Sequence, residues 1–289
     1  MRKAYGDTRH GQIHLRDSHG PGRPLMLLHM TPLSGAMFLP AAPAFEGLRL
    51  LLPDLVGYGR SDPRGEPWRM ADWADSLADL LDWLGVAEAA VYGAHVGAAV
   101  ALELAFRHPA RVSRLMLDGL PFLTAELRAA FAAIAAAPRP AALGEVVPRV
   151  EAMLGEFGGG DPFRAMIDYL ETGFVSSAPV SAVHDPAPAL GAVEAPLLLL
   201  GAAGDSQAAS LATARALRPE APHHLWPGRH PVHDPARAAE FAAPIRAFAG
   251  GRARFGVPVH AAARCAAPGR LAWCPGKDSN LHSLAATGT

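Results

Sequence analysis

The 289-residue chain has only two cysteines, Cys265 and Cys274, and both fall close to its end. Their absence elsewhere excludes a disulfide framework and a cysteine-built metal site from the body of the protein. Long runs of like charge are also missing, since 26 Lys and Arg face 27 Asp and Glu for a net charge of −1. That balance offers no electrostatic footprint for nucleic acid or an anionic membrane, which leaves a small molecule as the expected partner. Oligomeric state is not legible. No window approaches the roughly 18 consecutive apolar residues of a membrane span. The basic start Met1-Arg2-Lys3 is not followed by the apolar segment of a secretory signal. A cytoplasmic protein is the expectation. What the chain has in abundance is apolar mass: it is 50% hydrophobic and 18% charged, enough for a sizeable core.

Strand and helix signals alternate. Two segments around His10-Gly11 predict a β-hairpin over residues 3–18. Leu25-Met26-Leu27-Leu28-His29 is a continuous apolar run, the mark of a strand buried on both faces, and Leu48 to Leu52 reads as a second buried strand. Trp73, Leu77, Leu80, Leu81 and Leu84 share one helical face, which Gly85 is placed to stop. Val112 to Leu117 is a further strand. From Phe122 to about Leu190 Ala-rich helical segments are broken by proline and glycine and carry no strand signal. Strands resume at Leu197 to Leu200 and at His223 to Trp226, and a final amphipathic helix bears Phe241, Ile245 and Phe248. The expected organisation is a core over 1–121, a helical cap over 122–190, more core over 191–249 and a disordered tail over 250–289.

The chemistry gathers at Val91-Tyr92-Gly93-Ala94-His95-Val96-Gly97-Ala98-Ala99. An apolar run ending in Gly-x-polar-x-Gly and passing into Ala-rich sequence reads as a strand, a very tight turn and a helix. The glycines flank a position where a Cβ would collide with the backbone, and the residue between them is lifted out ahead of a helix N-terminus.

Together with Leu28-His29-Met30-Thr31-Pro32, with Asp54 and Gly57-Tyr58-Gly59-Arg60-Ser61-Asp62, and with the loop Gly228 to His230, this stretch resembles the α/β-hydrolase fold family over roughly residues 10–249. The resemblance implies a doubly wound, mostly parallel sheet with an inserted helical cap. It also implies a nucleophile, an acid and a histidine in that chain order, which fall on His95, Asp205 and His230. Asp118 is the reserve acid and His233 the reserve base. The backbone N–H groups of Val96 and Thr31 take the oxyanion-hole positions. The family elbow carries Ser, and here the residue is His95.

Neutral imidazole has an available lone pair near neutral pH, so His95 can attack an acyl group directly, giving an acyl-imidazole that water hydrolyses. It can equally serve with His230 as a general base, in a hydrolysis or in a cofactor-free lyase or oxygenase reaction. Two other readings stay open: a bulky plug in a non-catalytic binder, and a metal site built from His95, His230, His233 and an acid, which the His-Pro-Val-His spacing disfavours. No cofactor and no metal are expected, and the activity favoured is hydrolysis of an ester or related acyl bond of a small, largely apolar substrate. Phe122, Met153, Phe157, Phe163, Met166 and Tyr169 offer an apolar pocket lining. His29 is expected to be structural, and His184 to lie at the surface.

Overall fold

In the opening hairpin the polar and apolar side chains alternate, and that period of two places Ile13 and Leu15 in the core. Strands β1 (Arg2–Thr8) and β2 (Gly11–Asp17) pair antiparallel, with Thr8 opposite Gly11 at the turn. In the computed structural model of the chain, residues 1–136, 142–156, 162–171 and 177–251 are described; they belong to one unit. All but the first two residues of the expected tail lie outside them.

Six further strands follow: β3 (Arg23–Leu28), β4 (Leu48–Pro53), β5 (Ala89–Ala94), β6 (Val112–Asp118), β7 (Leu197–Ala202) and β8 (His223–Trp226). The eight-stranded sheet has the order β1-β2-β4-β3-β5-β6-β7-β8, and every pair from β4 to β8 is parallel. Parallel strands need crossovers and are covered on both faces, which is why Leu25–Leu28 of β3 and Leu197–Leu200 of β7 read as unbroken apolar runs.

Helices α1 (Met70–Trp83) and α2 (Val96–Arg107) cover one face, joined by α7 (Ala187–Ala192) and α8 (Ala208–Leu217) in a common apolar core. The other face packs aromatic rings: Tyr92 of β5 meets Phe38 and, at 5.6 Å between centroids, Phe241 of α9 (Ala238–Ala249). Between β6 and β7 the described residues form α3 (Ala125–Ala136), α4 (Leu143–Glu156), α5 (Pro162–Glu171) and α6 (Ala178–Val183), then α7, with no strand among them. Polar ties bind this inserted segment to loops at the strand ends. Ser34 donates to buried Asp168 of α5 through its hydroxyl at 2.8 Å and its amide at 3.1 Å; Arg60 meets Glu171 at 3.3 Å, and the Thr31 and Ser177 hydroxyls are 2.6 Å apart.

Candidate active site

Strand β5 ends at Ala94 and α2 starts at Val96, so a single residue, His95, turns the chain. Its φ of 49° and ψ of −114° put a side-chain-bearing residue in a strained region, which the surroundings must over-determine. They do so through the backbone: the His95 amide donates to the Asp118 carbonyl at 2.8 Å, and the His95 carbonyl accepts from the Ala98 and Ala99 amides. A Cβ on Gly93 would lie 2.1 Å from the Gly97 carbonyl oxygen, and one on Gly97 2.4 Å from that of Leu28. Both glycines are therefore required by close approach of α2 to the ends of β3 and β5.

The imidazole of His95 is buried and its Nε2 lies 3.0 Å from Asp205 Oδ2. Asp205 follows β7, and its other oxygen accepts the Gln207 amide at 2.7 Å. Burial works to raise the Asp205 pKa, but the hydrogen bond and charge of His95, the Gln207 amide and nearby His230 outweigh it and hold the carboxyl below its ordinary value. An ionised Asp205 accepts the Nε2 proton, so the lone pair of the neutral ring falls on Nδ1. Gly119 makes room for this ring: a Cβ there would meet His95 Cδ2 at 2.8 Å, and its φ of 60° is one that glycine adopts freely.

A second pair lies beside the first. His230 Nε2 is 2.6 Å from Asp118 Oδ2, at the end of β6, and the buried Tyr92 hydroxyl donates to the same oxygen at 2.5 Å. The Val232 amide donates to His230 Nδ1 at 3.1 Å, so the ring proton sits on Nε2, facing Asp118. Trp226 packs edge-on against the imidazole, 4.8 Å between centroids. Burial, then the Asp118 charge and hydrogen bond, raise the Tyr92 pKa well above its usual value, keeping it a donor.

The pairing differs from the sequence expectation, in which Asp205 serves His230 and Asp118 stands in reserve: Asp205 holds the elbow histidine, and Asp118 holds the terminal one. Val96 opens α2 directly after the elbow, and Thr31 lies in the loop after β3, with its hydroxyl turned to Ser177. His233 closes a 3-10 turn (Pro231–His233), and its side chain is outside the described set. Among the described residues no group of three His, Cys, Asp or Glu is placed to hold a metal, and no helix is long and apolar enough to cross a membrane.

His29 is fully buried between the Met30 carbonyl, to which Nδ1 donates at 2.9 Å, and the Leu55 amide, which donates to Nε2 at 2.9 Å; burial lowers its pKa. Of the apolar residues expected to line a pocket, Phe122 packs against the core, Met166 is half-buried, and the side chains of Met153, Phe157 and Phe163 are outside the described set. His184 departs from the surface position expected of it: its side chain is 12% exposed and lines a cavity. Tyr92 and Gln207 were not legible as site residues. A tyrosine inside a buried strand is the one available signal, because its hydroxyl needs a partner.

The overall fold recurs in solved structures. A thermophilic esterase from Thermogutta terrifontis superposes with a TM-score of 0.69 at 21% identity, covering 86% of this chain and 100% of that one. This is the α/β-hydrolase fold. The N-acyl homoserine lactonase AidH superposes on the same α/β-hydrolase frame with a TM-score of 0.67 at 21% identity, covering 86% and 97% of the two chains. Residues 23–142 match the family model described as alpha/beta hydrolase fold. A 2-hydroxymuconate semialdehyde hydrolase from Pseudomonas putida is 34% identical over 104 residues, 35% of this chain and 37% of that protein. A haloalkane dehalogenase from Mycobacterium marinum is 33% identical over 120 residues, 38% and 39% of the two. The chain thus spans about two fifths of the length of these curated relatives.

Proposed function

We propose that the protein is an α/β-hydrolase-type enzyme that hydrolyses an ester or related acyl bond of a small, largely apolar substrate, with His95 as the attacking group. The observation that carries this reading is the 3.0 Å bond between Asp205 and Nε2 of the elbow histidine. That bond directs the lone pair to Nδ1 and supplies a negative charge where an imidazolium would form. Attack by Nδ1 makes an N–C bond to the acyl carbon, the C–O bond breaks, and the leaving oxygen takes up the Nε2 proton through solvent. Water then adds to the acyl-imidazole, releasing the acid and returning the proton to the ring. The Val96 and Thr31 amides are the donors proposed for the developing oxyanion. The relatives and fold neighbours named as hydrolase, esterase, lactonase and dehalogenase support hydrolysis as the reaction class.

A base role for the His95 and His230 pair is less well supported, because both His230 ring nitrogens are engaged, by Asp118 and by the Val232 amide. The same commitment favours, as a second reading, a ligand binder without turnover. Intact-mass analysis during incubation with p-nitrophenyl esters of increasing chain length separates the two. Turnover with a transient acyl adduct lost in His95→Ala is the expected result; no adduct and no turnover across the series would sink the enzymatic reading. His95→Ser, which restores a conventional hydroxyl, gives a second arm.

A further inference from the structure

A cavity of about 10 Å³ lies next to the elbow, lined by Met70, Val96, Ala99, Pro121, Ser181 and His184. That is room for about one water molecule. Four of its walls are apolar, yet the other two present polar atoms that are sealed from solvent and have no hydrogen-bond partner among the described residues, Ser181 Oγ and His184 Nε2. Ser181 as a whole is 6% exposed. Buried polar atoms are nearly always paired, so two such atoms on the wall of one cavity of this size mark a built polar seat.

Local structure places them together. Ser181 lies on α6 and His184 is its C-cap, three residues on and therefore one turn away. The end of α6 is held by Arg128 of α3, whose guanidinium donates to the Ala182 and His184 carbonyls at 2.7 and 3.1 Å. Behind the ring, Nδ1 faces Glu103 of α2 at 3.9 Å. Burial, only partly offset by the Asp185 charge, lowers the His184 pKa and favours the neutral ring. In that state Nε2 either gives or accepts a hydrogen bond according to tautomer, as does the Ser181 hydroxyl. With the ring proton on Nδ1, facing the Glu103 carboxyl, Nε2 accepts, and an occupant serving both atoms is an oxygen that carries hydrogen.

We propose that Ser181 and His184 form a seat for one hydroxyl oxygen beside the elbow: a water in the free protein, and the hydroxyl of an alcohol or hydroxy acid in a ligand complex. Val96 lines the same cavity, so the seat selects ligands whose hydroxyl lies close to the group held at His95. The inference rests on the site being a ligand site, and it does not require turnover.

Calorimetric titration of the full chain with butyrate and with 3-hydroxybutyrate tests it, alongside a crystal structure of the free protein. The expected result is an oxygen within about 3 Å of both atoms, and about fivefold to tenfold tighter binding of the hydroxy acid, a preference that disappears in Ser181→Ala and His184→Phe. An oxygen in the free crystal with equal affinities assigns the seat to solvent alone. A dry cavity with equal affinities overturns the proposal. Thermal melting decides if neither acid binds: Ser181→Ala leaves Tm unchanged or lowers it when the hydroxyl is hydrated, and raises it when the cavity is dry. Hydroxy-acid preference in a protein inert to every ester would refute the hydrolysis and leave the seat standing.

Discussion

Two buried histidine–aspartate pairs in this molecule look alike in distance and differ in what surrounds them. At the end of β4, Asp54 Oδ2 lies 2.8 Å from His14 Nδ1 and also accepts the Arg60 amide, while its Oδ1 accepts Arg16 and the Gly35 amide. Four donors saturate that carboxylate; burial raises its pKa, and the His14 hydrogen bond with the charges around it carries the net shift below the ordinary value. At the elbow, Asp205 receives His95 on one oxygen and the Gln207 amide on the other, and the histidine it orients sits in a strained turn beside a cavity. A carboxylate tied to four fixed donors from β2 and two loops ties a structure together. One that receives a single ring N–H from the elbow histidine sets the tautomer on which the proposed attack depends. The motif from Asp54 to Asp62, which looks chemical in the sequence, is therefore a knot: Ser61 donates to the Asp54 carbonyl, and Asp62 accepts the Gln12 amide.

The contrast is sharpest under substitution. Asp54→Ala leaves Arg16 without its buried partner and three other donors unpaired; a loss of about 3–5 kcal/mol is expected in urea unfolding. A loss under about 1 kcal/mol would erase the distinction between the two pairs. Asp205→Asn is expected to cost less stability, about 1–3 kcal/mol, and to reduce ester turnover by about a hundredfold through loss of the tautomer and of the stabilising charge. Its pH dependence follows from a carboxyl held below the usual 3.8. The folded state keeps Asp205 ionised longer than the unfolded chain does, so its contribution is complete above that value and is lost as pH falls through the lower folded pKa. The melting-temperature gap between the parent protein and Asp205→Asn should hold from neutral pH to about 4 and narrow below it; a gap already closing near pH 6 would assign the interaction to another group. Tyr92→Phe removes one of the donors to Asp118 with little change of volume. A loss of about 1.5 kcal/mol is expected, with turnover falling less than in Asp205→Asn, since this hydroxyl supports the pair that His95 does not use.

Much of the fold was legible because its signals are local. The runs through Leu25–Leu28, Leu50–Leu52 and Leu197–Leu200 are apolar at every position, as two-sided burial demands, and each lies in a strand. The hydrophobic face of Trp73, Leu77, Leu80 and Leu81 is fully buried on α1. The elbow was legible in part for the same reason: a Cβ on Gly93 would clash with Gly97, four residues on, whereas Gly97 is required by the approach of Leu28 from the neighbouring strand. His184 was misjudged because its partner surfaces, α2 and the loop at Pro121, are remote in sequence.

The sequence by itself thus determined the sheet, its crossovers and the strained turn at His95, since each depends on periodicity or on steric contact within a few residues. Which acid meets which histidine was decided by tertiary structure alone. Strands β6 and β7 lie side by side with Asp118 in register with Leu200, so the chain ends that follow them present two carboxylates to one small region. His230, anchored by the Val232 amide and packed edge-on against Trp226, reaches Asp118, and the room over Gly119 admits the His95 ring that meets Asp205. Hydrogen bonds form over about 3 Å and decline steeply beyond it. Chain spacing carries no information at that scale.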